Sequence, residues 1–122
     1  MSCDEMYKQR DSDGNKQAML ALDYIEKHYG DFDLNLNVIC SYVCVSISHF
    51  STIFKNYTGD TFMEVLMRTR MQKAKELLEN TSLKNYEISE KVGFRDPHYF
   101  SIAFKKATGK SPKEYVKEVR KK

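Results

Sequence analysis

Residues 46–59 read Ser-Ile-Ser-His-Phe-Ser-Thr-Ile-Phe-Lys-Asn-Tyr-Thr-Gly, and fifty positions later residues 96–109 read Asp-Pro-His-Tyr-Phe-Ser-Ile-Ala-Phe-Lys-Lys-Ala-Thr-Gly. Setting 49–64 against 99–114 gives seven identities in sixteen: Phe50/Phe100, Ser51/Ser101, Phe54/Phe104, Lys55/Lys105, Thr58/Thr108, Gly59/Gly109 and Glu64/Glu114. At typical residue frequencies about one match is expected by chance. In each copy the apolar positions recur at i, i+3, i+4 and i+7, the spacing of a helix with one buried side. The opposite stripe runs over 48, 51, 52 and 55 in one copy and 98, 101, 102 and 105 in the other. Two like helices with exposed stripes suit a partner that is itself periodic, and duplex DNA is the obvious candidate.

Working outward, Ser46 is a good N-cap for a helix running to about Tyr57, with Phe50, Ile53, Phe54 and Tyr57 inward and Gly59 as its left-handed stop. A helix of about eight residues before it, Leu36 to Val43, turns Leu36, Ile39, Cys40 and Val43 inward. Helix, turn of three to four residues, helix is helix-turn-helix spacing, and the second helix would be the recognition helix. A leading helix from about Lys16 to Tyr29 stops at Gly30, with Ala18, Leu22, Ile25 and Tyr29 on one face, followed by a polar turn over 31–35.

After the first copy, Thr61 caps the longest helix, about Phe62 to Glu79. Its apolar side carries Phe62, Leu66, Ala74, Leu77 and Leu78, and its basic side Arg68, Arg70, Lys73 and Lys75. At 1.5 Å per residue it spans about 27 Å and connects the copies. The second copy opens with a helix from about Tyr86 to Val92, with Ile88 and Val92 inward. Gly93 supplies a positive φ in its turn and Phe94 fills the core. That turn is one residue longer than its counterpart. Asp96 and Pro97 then form a strong helix start. Phe100, Ala103, Phe104 and Ala107 face inward, and Ser111-Pro112 begins a last helix to about Val119. The expected fold is all-α: seven helices, two helix-turn-helix subdomains and a long connector. The expected divisions are a flexible segment over 1–15, a first subdomain over 16–60, the connector over 61–80 and a second subdomain over 81–120.

At 122 residues the chain makes one compact unit or two small halves. No run approaches the 18 apolar residues of a membrane span, and the first residues lack the basic-then-apolar order of a signal peptide, so a cytoplasmic location without membrane contact is expected. The net charge of +3 divides unevenly, −4 over residues 1–60 and +7 over 61–122. A basic second half ending in Val-Arg-Lys-Lys suits phosphate contact. Cysteines at 3, 40 and 44 give no disulfide framework. They lack the further close ligands that zinc requires, and read as small core residues. No metal and no cofactor is expected.

The strings Ser46…Phe54-Lys55…Thr58-Gly59, Ala74…Leu77-Leu78, Ile88…Val92-Gly93-Phe94…Tyr99-Phe100-Ser101…Phe104-Lys105-Lys106…Gly109…Ser111-Pro112…Tyr115 resemble the AraC/XylS-type DNA-binding domain over about residues 16–119. The resemblance implies a bacterial transcription regulator. Its recognition helices, about 46–57 and 97–107, would enter adjacent major-groove segments about 34 Å apart and read an asymmetric site. A connector that held them closer than a straight duplex allows would require bent DNA, at about 1–6 kcal/mol. The leading helix with Tyr29 and Asp33-Leu34 looks most like the output domain of response regulators in this family. The chain is then either an excised output domain, which the opening Met-Ser and the flexible lead-in favour, or a short stand-alone member, monomeric in isolation, with any dimer formed through a further domain.

By position, the resemblance makes Ser48, Ser51 and Thr52 base-facing in the first copy and His98, Tyr99 and Ile102 in the second. Many relatives carry arginine at 52 or 102, where a bidentate guanine contact contributes about 1–3 kcal/mol of discrimination. Thr52 and Ile102 imply more modest specificity, drawing on A/T-rich contacts, shape or a second protomer. Phosphate contacts are assigned to Lys55, Lys105 and Lys106 and to backbone N–H groups near Ser46, Asp96 and Ser111. His49 is divided between phosphate and core packing. Arg70 matches a family-typical connector arginine, for which a salt bridge and a DNA role are equal expectations. Phe50, Phe54, Phe94, Phe100 and Phe104 are read as core, not stacking platforms. An enzyme would need a nucleophile beside a base; the cysteines have no such neighbours, so none is expected. The serious rival is a protein-interaction module docking on RNA polymerase or a partner regulator, which the small uncharged stripe of the first copy favours. RNA polymerase contact is expected on the DNA reading as well.

Overall fold

A computed structural model describes the backbone of residues 10–120 and the side chains of residues 15–119. These residues form seven helices and no strand: α1 Arg10–His28, α2 Leu36–Val43, α3 Ile47–Thr58, α4 Phe62–Asn80, α5 Asn85–Lys91, α6 Pro97–Thr108 and α7 Pro112–Arg120. The fold is all-α, as the periodicity requires. Contacts sort the chain into two units, one holding α1 through His28 together with Asp33–Leu66, the other holding Tyr29–Phe32 and the chain from Met67 onward. The long helix therefore serves both: Phe62 to Leu66 belong to the first unit and the helix from Met67 onward to the second. The short segment Tyr29–Phe32, placed with the first copy on sequence order, packs in the second unit.

In the first unit α1 packs on α2 and α3. Ala18 and Ala21, both fully buried, let the backbones approach, and Ile25 fills the space beyond them. Gln17, also buried, donates from Nε2 to the carbonyl of Val43 (3.2 Å), satisfying a backbone acceptor at the end of α2. Phe50 and Phe54 stack at 5.2 Å and meet the ring of Phe62 edge-on at 6.3 Å each. Fully burying a side chain of this size contributes about 1.5–3 kcal/mol.

The second unit repeats the plan with different fillings. Met71, Ala74, Leu78, Ile88, Val92, Phe94, Phe100 and Phe104 form one buried cluster. Tyr115 closes it, with its ring edge-on to Phe104 at 5.5 Å. The longer turn has a structural use. Ser89, fully buried where the first unit has Cys40, donates its hydroxyl to the Phe94 carbonyl (3.0 Å), while the Phe94 N–H returns to the Ser89 carbonyl (2.9 Å). All five phenylalanines read as core are buried.

Four expectations are corrected. Helix α1 starts at Arg10, six residues before Lys16. Propagating a nucleated helix adds one hydrogen bond per residue fixed, so backbone over 10–15 continues without an apolar face of its own. The remainder of the segment read as flexible, with Cys3, lies outside the described residues, as do Lys121 and Lys122. Tyr57 and Ala107, equivalent positions expected inward, are exposed. The hydroxyls of Thr58 and Thr108 occupy that turn instead, donating to the carbonyls of Phe54 and Phe104 (2.9 Å each). Cys44 is exposed rather than core. It lies beyond the last turn of α2 as its C-cap, in the left-handed region with φ 64°. Arg70, assigned to the connector's basic surface, is buried. Cys40 does lie in the core, and burial raises its thiol pKa.

Candidate nucleic-acid interface

Each unit presents one helix by the same construction. In the first, α2 and α3 meet at an 88° bend, close to the 90–120° of helix-turn-helix pairs. Ser46 starts α3, its hydroxyl accepting the His49 N–H (3.2 Å), and Gly59 stops it at φ 85°. In the second, Asp96 accepts the His98 N–H (3.0 Å), Pro97 takes the first helical position, and Gly109 stops the helix at φ 85°. With Phe50 and Phe54, or Phe100 and Phe104, turned inward, the opposite stripe of each helix must face out.

Ser48, His49, Ser51, Thr52 and Lys55 are exposed on α3, and His98, Tyr99, Ile102, Lys105 and Lys106 on α6. The structure thus brings the candidate base-facing residues together as two surface stripes, one per unit. Of the two expectations for His49, core packing is excluded by its exposure. Thr52 donates its hydroxyl to the Ser48 carbonyl (3.2 Å), leaving its oxygen to accept. Ser101, the counterpart of Ser51, is only half-exposed, and its hydroxyl accepts from Asn85 Nδ2 at the start of α5 (3.1 Å). The equivalence of the stripes therefore fails at this position.

Two assignments to phosphate meet opposing charge. The Ser111 N–H already donates to the Glu114 carboxylate (2.9 Å), and the Ser111 hydroxyl accepts the Glu114 N–H (3.2 Å). These bonds, with Lys105 and Lys110 nearby, hold the Glu114 carboxyl below its ordinary pKa, so a negative charge stays at the start of α7. The carboxylate of Asp96 stands likewise at the start of α6. A phosphate approaching either helix start would meet a carboxylate that already offsets the helix dipole. Ser46, a neutral cap, leaves the positive end of α3 uncompensated by any cap charge.

Arg70 is buried within the second unit. Its Nε donates to the Tyr29 carbonyl (2.8 Å) and its Nη2 to the Asp31 carbonyl (2.9 Å). Burial lowers its pKa, and the charge of Asp31 opposes that shift. Its role is structural. The capping boxes went unread in the sequence: Thr61 with Glu64 (2.9 and 3.2 Å) and Ser111 with Glu114 close α4 and α7 identically. The Glu64/Glu114 identity three residues after a hydroxyl residue was the available signal. Among the described residues, no three His, Cys, Asp or Glu side chains are grouped as metal ligands.

The family model described as a helix-turn-helix domain matches residues 39–118, well over half of the chain. The chain belongs to the AraC/XylS-type helix-turn-helix family. Among solved AraC-type structures, the C-terminal domain of AraT, a response regulator from Geobacillus stearothermophilus, is 41% identical, with a TM-score of 0.82 over 84% of each chain. The C-terminal domain of the two-component response regulator yesN from Fusobacterium nucleatum is 42% identical, with a TM-score of 0.78 over 80% of this chain and 95% of that one. The Msm operon regulatory protein of Streptococcus mutans is 39% identical over 95 residues, 78% of this chain and 34% of its own length. The AraC-type domain described here spans about a third of the curated relatives it matches.

Proposed function

We propose that this AraC-type domain is a sequence-specific DNA-binding regulator of transcription that lays α3 and α6 in adjacent segments of the major groove. The observation that carries the reading is the construction repeated in each unit. A capped helix start, two buried phenylalanines and a left-handed glycine stop together turn one short helix outward. Ser48, Ser51 and Thr52 then face bases in one segment and His98, Tyr99 and Ile102 in the other. Lys55, Lys105, Lys106, His49 and the start of α3 at Ser46 face phosphates.

The protein works on double-stranded DNA in the cytoplasm without a cofactor and without catalysis, and it contacts RNA polymerase when bound. No single helix among the described residues is long and apolar enough to cross a membrane. The domain is monomeric by itself. The test is selection of genomic fragments followed by footprinting. About six phosphate contacts give a log–log slope of affinity against salt near −5. Enrichment no better than a heparin-competed background at low salt would overturn the reading.

A further inference from the structure

The two outward stripes differ in chemistry more than their shared scaffold suggests. Helix α3 offers hydroxyls at Ser48, Ser51 and Thr52, groups that accept or donate toward any base edge. On α6 the corresponding hydroxyl of Ser101 is engaged by Asn85. The surface beside it is Tyr99 and Ile102, each 53% exposed. Being three residues apart, they lie on one face of the helix. The ring of Tyr99 leans on Phe94 (5.7 Å between centroids), and Phe94 packs on Phe100 within the core (5.5 Å). Tyr99 is thus held in place before any partner arrives.

Resting on the DNA reading above, we infer that α6 recognises thymine through its 5-methyl group, with Ile102 and Tyr99 as the specificity-determining side chains, whereas α3 reads its segment by hydrogen bonds. Isoleucine has neither donor nor acceptor, so it cannot distinguish bases by their hydrogen-bonding edges. The thymine C5-methyl is the one apolar group that a base pair shows in the major groove. A pair of large apolar side chains on a recognition surface gains from burying that methyl, and gains nothing comparable from cytosine.

The experiment selects bound duplexes from a random library and resynthesises the best site with each thymine in turn replaced by deoxyuridine. Burial of one methyl is worth about 0.8 kcal/mol, which is about a fourfold change in affinity at 1.4 kcal/mol per tenfold. One or two thymines in the α6 segment should each show that loss. Replacing T·A there by 5-methylcytosine·G should weaken binding less than unmethylated C·G does. Ile102→Ala or Tyr99→Ala should abolish the deoxyuridine penalty, and both residues are exposed enough for the variants to fold. Selection of a site that tolerates deoxyuridine everywhere overturns the inference, as does a penalty unchanged in both variants. Either result leaves the DNA reading intact. Failure to enrich any duplex overturns both.

Discussion

The carbonyl of Tyr29 accepts a hydrogen bond from Nε of Arg70 at 2.8 Å, although 41 residues separate the two in sequence. With the second bond from Nη2 to Asp31, one buried guanidinium fixes the segment Tyr29–Phe32 to the second unit. Lys73 stands over the ring of Tyr29 (5.7 Å) and Arg95 over that of Phe32 (4.9 Å), so both aromatic residues of the segment are held by cations. Replacing Arg70 with Met keeps the stem but leaves both carbonyls without this donor. Leaving a buried polar group unsatisfied costs about 1–3 kcal/mol. Asp31 is exposed and its carbonyl can turn to water, so Arg70→Met should destabilise the protein by about 1–3 kcal/mol, read as a lower urea midpoint at unchanged slope.

The same carbonyl explains Gly93. A Cβ built at Gly93, where φ is 93°, would lie 2.4 Å from the Tyr29 oxygen and 2.8 Å from Arg70 Nε. Gly59 and Gly109 share a positive φ of 85°, but a Cβ at either meets nothing within 4 Å. Alanine at 59 or 109 bears only the left-handed penalty, about 1–2 kcal/mol. Gly93→Ala adds a clash with backbone that cannot swing aside. Thermal melts of the three variants should rank Gly93→Ala as clearly the least stable, with the other two alike.

How legible this was depends on whether the cause was local. Apart from the start of α1, the helices, the caps at Ser46 and Asp96 and the stops at Gly59 and Gly109 follow from neighbours within one turn, and they stand close to where the sequence pattern puts them. Arg70 looked basic and exposed because its partners are carbonyls on a distant segment, which no side-chain pattern reveals. Tyr57 and Ala107 were misplaced because periodicity does not register that a threonine hydroxyl can occupy the last turn. The hydrogen bond from the Ser111 N–H to Glu114 was signalled by the spacing of the two residues. The exposure of the two stripes was readable, but the hydrogen bond from Asn85 to the Ser101 hydroxyl was not.

Cys44 offers a gain in stability. It is exposed and holds φ 64° with ψ 41°, a conformation that a side chain with a Cβ resists and glycine adopts freely. Part of the relief is offset by the greater freedom glycine gives the unfolded chain, about 0.4–1 kcal/mol. Cys44→Gly should raise stability by about 0.5–1 kcal/mol in urea titrations under reducing conditions. A loss would mean that the thiol contributes contacts outweighing the strain.

Tyr115 makes stability sensitive to alkali. Its phenol is pushed up to about 12, first by burial, then by its hydrogen bond to Glu79 and that carboxylate's charge. An unfolded tyrosine titrates near 10. The folded state therefore holds the proton more tightly, and this contribution is fully present below about pH 10 and is lost as pH rises toward 12. Urea midpoints compared between wild type and Tyr115→Phe should differ in their pH dependence between pH 10 and 12, with the wild type falling more steeply. Parallel profiles would show that the phenol is not protected.

Lys105 separates positioning from reading at the proposed DNA interface. It is exposed in the last turn of α6, one helical turn beyond Ser101 and Ile102, where its ammonium can reach a phosphate but no base edge need be within range. Neutralising one phosphate contact changes the log–log salt slope by about 0.9. Lys105→Ala should weaken binding to every duplex by a similar factor, with a slope shallower by about that amount. His98, exposed in the first turn, is assigned to a base edge in the proposed reading, so His98→Ala should reorder preferences among duplexes differing in one segment while leaving the slope nearly unchanged. Both variants are measured against the same panel of duplexes at two salt concentrations. A reordered preference from Lys105→Ala, or a uniform loss with a shallower slope from His98→Ala, would exchange the two roles.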